Sequence, residues 1–109
     1  MGQRFSYAQI NCRLAVDHMA ASPKTLRQRI GAAYLGHLSK LQPNQVPEEA
    51  KADLVTLRSK LTRVPSRFPA EGSVEATLSN MHWKELQACA QIIVELSHKL
   101  DRAYNGEVL

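Results

Sequence analysis

The amino-acid sequence predicts an all-α fold, a small helical bundle of about four helices that includes a long C-terminal helix. Three observations favour this fold. Apolar residues recur about once per helical turn, proline-containing breaks separate these patterns, and strand-like alternation is absent apart from a short stretch near residues 5–10. A chain of 109 residues fits one domain. We assign this domain to residues 22–109 and interpret residues 1–21 as an N-terminal helix or an extension.

The strongest helical pattern covers residues 82–104 and predicts the element against which the others pack. One face is apolar and carries Leu86, Cys89, Ala90, Ile93, Leu96, Leu100 and Tyr104. The opposite face is polar and carries Lys84, Gln91, Glu95, Lys99 and Arg102. Asn105 and Gly106 readily adopt the left-handed conformation common after helices, so we expect the helix to end there.

A further helix is predicted from about residue 5 to residue 20. Its helical spacing is carried by Phe5, Ala8, Cys12, Ala15 and Met19. The β-prone residues around Tyr7 and Ile10 argue against this helix. Met19 also opens a plausible translation start, in which case the first 18 residues would be an appendage to the core.

Ser22 and Pro23 predict the start of the next helix, since serine is a favoured N-cap and proline fits the first helical position. The pattern continues to about Leu41. Its apolar face comprises Leu26, Ile30, Ala33, Tyr34, His37, Leu38 and Leu41. The reverse side is small or apolar and comprises Gly31, Ala32, Leu35 and Gly36. Each glycine costs about 1 kcal/mol relative to alanine unless close backbone approach compensates. We therefore interpret the reverse side as packed centrally or as a self-association surface.

Pro47, Glu48 and Glu49 open a helix that Pro65 ends, because proline and acidic residues suit a first turn. Its apolar seam comprises Ala50, Leu54, Leu57, Leu61 and Val64. Residues 65–72 are predicted to form a loop, after which Ser73 caps a short helix. Residues 79–80 then cap the long final helix, or the two helices run together with a kink near Met81.

The formal net charge is +4, and it is unevenly distributed. Residues 1–46 carry six basic side chains against one acidic side chain, whereas residues 47–109 carry eight against nine. A basic run near the end of the third helix comprises Arg58, Lys60, Arg63 and Arg67. These four residues are candidates for binding an anion such as nucleic acid. The alternative is a solvated surface that complements the helix dipole.

Signatures of catalysis are weak. The chain has no glycine-rich phosphate loop, paired catalytic carboxylates or nucleophile elbow. Glu95 and His98 form one Glu-x-x-His motif, whereas a di-iron bundle uses two, and we interpret the pair as solvated. His37 is expected to be a buried histidine with a hydrogen-bond partner, and Cys89 a small core residue. We predict neither an enzyme nor a bound metal or cofactor.

The two cysteines, Cys12 and Cys89, lie far apart and form no metal-binding or redox motif. We therefore expect them to be reduced, as in an intracellular protein. The N-terminus lacks the apolar core of a signal peptide, and no apolar run approaches the length of a membrane span. These observations favour a cytoplasmic location.

Parts of the sequence resemble a pattern found in short, all-helical bacterial proteins of unknown function. The similarity is carried by residues 61–65 (Leu-Thr-Arg-Val-Pro), 71–73 (Glu-Gly-Ser) and 78–81 (Leu-Ser-Asn-Met), and by Glu85. His82 departs from the pattern, which has a serine or threonine cap at that position. The resemblance spans about residues 24–104 and implies a bacterial cytoplasmic protein, without identifying a catalytic residue.

The function predicted from the sequence is a non-enzymatic helical protein that works through protein–protein contacts and associates with itself, as a homodimer. The predicted two-sided helix and the wide stripe of the final helix favour it. The alternative is binding of nucleic acid or another polyanion through the basic run.

Overall fold

The computed structural model describes residues 6–66 and 72–108, with side chains to residue 103. Five α-helices form in the order α1 (Ser6–Ala21), α2 (Leu26–Ala33), α3 (Glu48–Leu61), α4 (Ser73–Ser79) and α5 (Trp83–Val108). A π-helical segment (Tyr34–Leu38) continues α2, and a 3₁₀ turn (Pro43–Gln45) precedes α3. No strand occurs within the described ranges, so the all-α prediction is confirmed.

The number of helices differs from the prediction of about four. The short helix α4 stays separate from α5 because the chain leaves helical geometry at Asn80, whose φ is −104° and ψ is 3°. The final helix then begins at Trp83 rather than after residues 79–80. His82 occupies its N-cap position, since its carbonyl accepts from the N–H of Leu86 at 3.0 Å. The carboxylate of Glu85 accepts from the N–H of His82 at 3.3 Å, which is half of a capping box.

The C-terminal end of α5 also differs from the prediction. The helix continues through Asn105 and Gly106 to Val108. A glycine weakens a helix by about 1 kcal/mol relative to alanine but does not sterically prevent it. The side chain of Tyr104, predicted on the apolar face, lies outside the described residues.

Helix α5 is the centre of the bundle. Its apolar stripe is buried along its length, with Cys89, Ile93, Leu96 and Leu100 fully inaccessible to solvent. Helix α3 packs on it through a seam of buried residues: Ala50, Leu54, Leu57 and Leu61. An ion pair between Lys99 Nζ and Asp53 Oδ2 at 2.7 Å joins the same two helices.

Helix α1 packs on the other side of α5 and runs in the opposite direction. The amide of Gln9 donates to the carboxylate of Asp101 at 2.9 Å, whereas Asp17, two turns later, lines a groove together with Ser97. The inner face of α1 is formed by Ala8, Cys12, Ala15 and Met19, all of which are buried in the common core. The predicted helical residue Phe5 lies outside the described residues.

Helix α2 begins three residues later than predicted, because the cap is Thr25 rather than Ser22. The hydroxyl of Thr25 accepts from the N–H of Gln28, and the Gln28 side chain accepts from the N–H of Thr25, both at 3.2 Å. This reciprocal pair satisfies two N–H groups that the first turn leaves free.

The predicted α-helix to Leu41 also changes character midway, at Tyr34. From there the chain makes a π turn, in which the N–H of Ser39 donates to the carbonyl of Tyr34 at 2.8 Å. Tyr34 and Leu38 are buried, whereas Leu35 and Gly36 are exposed. The burial of these side chains therefore follows the predicted apolar face, although the backbone here is not α-helical.

Three arginines bind backbone carbonyls at the ends of neighbouring helical segments. Arg29 donates to the carbonyl of Met19 at 2.8 Å, and Arg58 donates to that of Leu41 at 2.6 Å. Arg27 donates to the carbonyls of Leu78 and Met81. The last carbonyls of a helix lack intrahelical partners, so these guanidinium groups stabilise the joints of the bundle.

None of the helices in the described ranges has both the length and the apolar character needed to cross a membrane.

Candidate protein-contact surface

Helix α1 carries apolar side chains on its outer side as well as on its inner face. Tyr7, Ile10 and Leu14 are 50%, 54% and 44% exposed. Their spacing of three and four residues places them in one stripe along two turns. We call these three residues the α1 outer face. A helix that is apolar on both sides is normally covered on both sides.

Large exposed apolar residues elsewhere in the described ranges stand singly on their elements. They are Leu35 in the π segment, Val55 on α3 and Trp83 at the start of α5. Scattered residues of this kind are ordinary on a protein surface. The α1 outer face is therefore the one stripe of large exposed apolar side chains that the described elements present.

A groove between α1 and α5 includes part of this stripe. Ile10 and Leu14 line it together with Arg13 and Asp17 on α1, and its volume is about 490 Å³. On α5 it is lined by Ser97, His98 and Asp101. Arg13 Nε lies 3.8 Å from Asp101 Oδ1, at the limit of an ion pair. Asp17 forms no ion pair with any described residue, so its exposed charge is available to a partner.

The predicted self-association residues on α2 and the π segment do not form one open surface. Gly31 is buried, and a Cβ atom there would lie 2.9 Å from Leu78 Cδ1. Its small size is used for packing within the chain, against α4. Ala32 is partly buried, whereas Leu35 and Gly36 are exposed.

The two glycines lead to a prediction for stability. Replacing Gly36 by alanine is expected to raise the free energy of unfolding by about 0.5–1 kcal/mol, because the helical backbone gains rigidity and nothing lies within 4 Å of the new Cβ. Gly31→Ala should gain less, since the Leu78 side chain must move. Urea titration of both variants measures the difference. An equal gain in both would contradict the close packing at Gly31.

The predicted anion-binding run is largely engaged within the chain. Arg58 binds the carbonyl of Leu41, and Arg63 Nη2 lies 2.7 Å from Glu85 Oε2. Lys60 is exposed. Arg67 lies outside the described residues. Binding of a polyanion by this run stays a prediction, which a nucleic-acid titration at low salt would test.

The groups around Glu85 favour its charged form. The backbone N–H of His82 has the largest effect and lowers the pKa of the Glu85 carboxyl; desolvation opposes it, and the Arg63 guanidinium lowers the pKa further. This carboxylate therefore stays charged as a helix cap and as a partner of Arg63.

The cysteines show no sign of nucleophilic activation. Burial, and secondly the negative charge of Asp101, raises the pKa of the Cys12 thiol to about 12. Burial also raises the pKa of Cys89. Both are free thiols, and a thiol in this environment is a poor nucleophile because little thiolate forms near neutral pH.

The raised pKa of Cys12 predicts that stability falls at alkaline pH. The folded state disfavours the thiolate, so the contribution of Cys12 is complete below its ordinary pKa of 9.0 and is lost as the pH rises towards about 12. Urea unfolding from about pH 8 to pH 11 should show a smaller decline for Cys12→Ala than for the wild type. Identical declines would contradict this role of Cys12.

Glu95 and His98 are not brought together with further metal-ligating side chains among the residues that the structure describes. Glu95 and His98 are both exposed. His37 is partly buried, and its ring makes an edge contact with His18 rather than the expected hydrogen bond. Groups of three or more metal-ligating side chains are absent from the described part of the chain.

The sequence interpretation missed the α1 outer face. The signal in the sequence is the helical spacing of Tyr7, Ile10 and Leu14. These three residues lie opposite the apolar stripe that predicted the helix. In the sequence, the β-prone residues near Tyr7 and Ile10 instead favour a strand. Two apolar stripes on one short helix weaken the amphipathic pattern, because neither side is clearly polar.

Comparison with known proteins finds no match: no protein-family model matches the chain, and neither a curated protein nor a solved structure matches it. The resemblance to short bacterial helical proteins therefore stays a prediction.

Proposed function

We propose that this chain is a non-enzymatic helical protein that works through protein–protein contacts, and that it associates with a second copy of itself through the α1 outer face. The observation that carries the proposal is the exposed stripe of Tyr7, Ile10 and Leu14 on a helix whose inner face is already buried. Covering half-exposed tyrosine, isoleucine and leucine side chains is favourable at about 25 cal/mol per Å² of apolar surface removed from water.

The charges beside the stripe favour a second copy as the partner. In a two-fold symmetric pair of antiparallel helices, each flank meets the same flank of the other copy. Arg13 and Asp17 lie on one flank of α1, the side of the groove. With the axis near Leu14, each Arg13 therefore approaches the partner's Asp17, and the contact is made twice.

The apolar residues fit the same arrangement. Leu14, at the C-terminal end of the stripe, packs against Leu14 of the other copy. Tyr7 and Ala21 are equidistant from Leu14 along the helix, so Tyr7 of one copy faces Ala21 of the other. A large side chain then meets a small one, and both are exposed in the single chain. The stripe spans only two turns, so we expect a small interface and a concentration-dependent dimer in the micromolar range.

Sedimentation velocity over a wide concentration range tests the proposal. The wild type should shift from monomer to dimer, and Leu14→Glu should remain monomeric because the two-fold contact would bring two carboxylates together. Val55→Glu is the matched control, since Val55 is equally exposed on α3, and it should dimerise like the wild type. A wild type that stays monomeric throughout would refute self-association.

The orientation has its own test through the paired charges. Arg13→Glu should weaken the dimer by placing glutamate opposite the partner's Asp17. Adding Asp17→Arg to the same chain should restore association, because each new arginine again faces a carboxylate. Failure of the double variant to recover would contradict the antiparallel pairing even where the wild type dimerises.

A further inference from the structure

Two histidines from different elements lie face to edge on one side of the bundle. The ring centroids of His18, near the end of α1, and His37, in the π segment, are 6.2 Å apart with an angle of 62° between the rings. Neither ring makes a hydrogen bond to a described residue. His18 is exposed and His37 is partly buried, so solvent and ions reach the pair.

The separation is within reach of one metal ion between the rings. Two imidazoles that bind one zinc at about 2.0–2.1 Å and at the tetrahedral angle have ring centroids about 5 Å apart. The observed 6.2 Å is longer by about 1 Å. Rotation of the exposed His18 side chain would have to bring the rings closer and direct a nitrogen of each ring at the ion.

The second histidine lies in the π turn. The turn comprises Tyr34–Leu38, and the ring of His37 contacts the ring of His18 on α1. Single π turns within α-helices occur frequently at functional sites. The turn and the unpartnered histidine pair are two separate observations at one location.

We propose that His18 and His37 bind one divalent transition-metal ion, of the zinc or nickel class that neutral imidazole prefers, and that the ion links α1 to the π segment. Water completes the coordination, because the described part of the chain offers no third metal-ligating side chain there. The site does not depend on the proposed dimer, since both ligands belong to one chain.

Calorimetric titration of the purified chain with Ni²⁺ and with Zn²⁺ tests the site. The wild type should bind one ion per chain, and His18→Gln and His37→Gln should each weaken binding by about tenfold or more, because each removes half of the protein ligands. His82→Gln and His98→Gln are matched controls on exposed histidines and should bind like the wild type. Equal binding by His37→Gln, or no saturable binding by the wild type, would overturn the proposal.

A second measurement uses the unaltered protein. Substoichiometric Ni²⁺ should broaden the NMR signals of residues around His18 and His37 before any others. Broadening that begins around His82 or His98 would place the ion elsewhere and overturn the assignment, whatever the variants do.

Discussion

Replacing Leu96 by alanine is expected to lower the free energy of unfolding by about 2–5 kcal/mol, the range for removing a large buried aliphatic side chain. Leu96 is fully inaccessible to solvent on the helix that contacts α1, α2 and α3. The loss combines the apolar surface no longer buried with the cavity left behind, because packed neighbours relax only partly. A loss of this size shifts the midpoint of thermal unfolding by about 10 °C or more.

The control for this variant is Leu35→Ala, which removes the same atoms from a side chain that is 47% exposed. It should cost less than about 1 kcal/mol, since no cavity forms. Urea unfolding of both variants is measured at one protein concentration. Any contribution of self-association is then the same in both, and the difference in the free energy of unfolding reports core packing. Similar losses in the two would show that α5 is not the centre of the core.

The second large effect is expected at Thr77, where Thr77→Val should cost about 1–3 kcal/mol. Thr77 is completely buried in α4. Its hydroxyl accepts from the N–H of Val64 at 3.0 Å and donates to the carbonyl of Ser73 at 2.7 Å. Valine keeps the shape but leaves the Val64 N–H without its partner, and an unpaired buried donor is more costly than the bond itself is favourable.

Amide exchange identifies the cause of that loss. The Val64 amide should exchange faster in Thr77→Val than in the wild type, whereas Thr77→Ser, which keeps the hydroxyl, should preserve its protection. Thr77→Ser removes a buried methyl group, which lowers the free energy of unfolding by about 0.8 kcal/mol. Both variants are therefore destabilised, and the free energy of unfolding alone does not identify the lost hydrogen bond. Unchanged exchange at Val64 in Thr77→Val would contradict the bond.

The strong periodic patterns were sufficient to predict the fold class and the buried stripes of α3 and α5. Ile93 and Leu100 are fully buried, because they recur at helical spacing in an apolar stripe whose opposite face is polar, and such a stripe faces the core. The start of α2 was predicted wrongly although the sequence carries its signal. Ser22 and Thr25 are both good caps, but only Thr25 has a glutamine three residues later, Gln28, which completes a capping box.

The sequence pattern did not predict contacts between residues that are distant along the chain. Arg58 is adjacent in sequence to other basic residues, which favoured an anion site, but in the fold it binds the carbonyl of Leu41. The π turn at Tyr34 likewise has no signal in the pattern, because Tyr34 and Leu38, which are both buried, would share one face of an α-helix as well. Charge runs and helix patterns describe neighbours along the chain, whereas these contacts join residues that folding brings together.

The packing of α1 against α5 has a consequence for the order in which the molecule is assembled. Gln9 and Asp101, which are hydrogen-bonded, are 92 positions apart, so this contact closes a loop of nearly the whole chain. Loop closure of that length is entropically unfavourable and slows folding. On the ribosome α1 would emerge first and could pack on α2, but the part of its surface that packs on α5 would stay exposed to chaperones and to other nascent chains until α5 is translated.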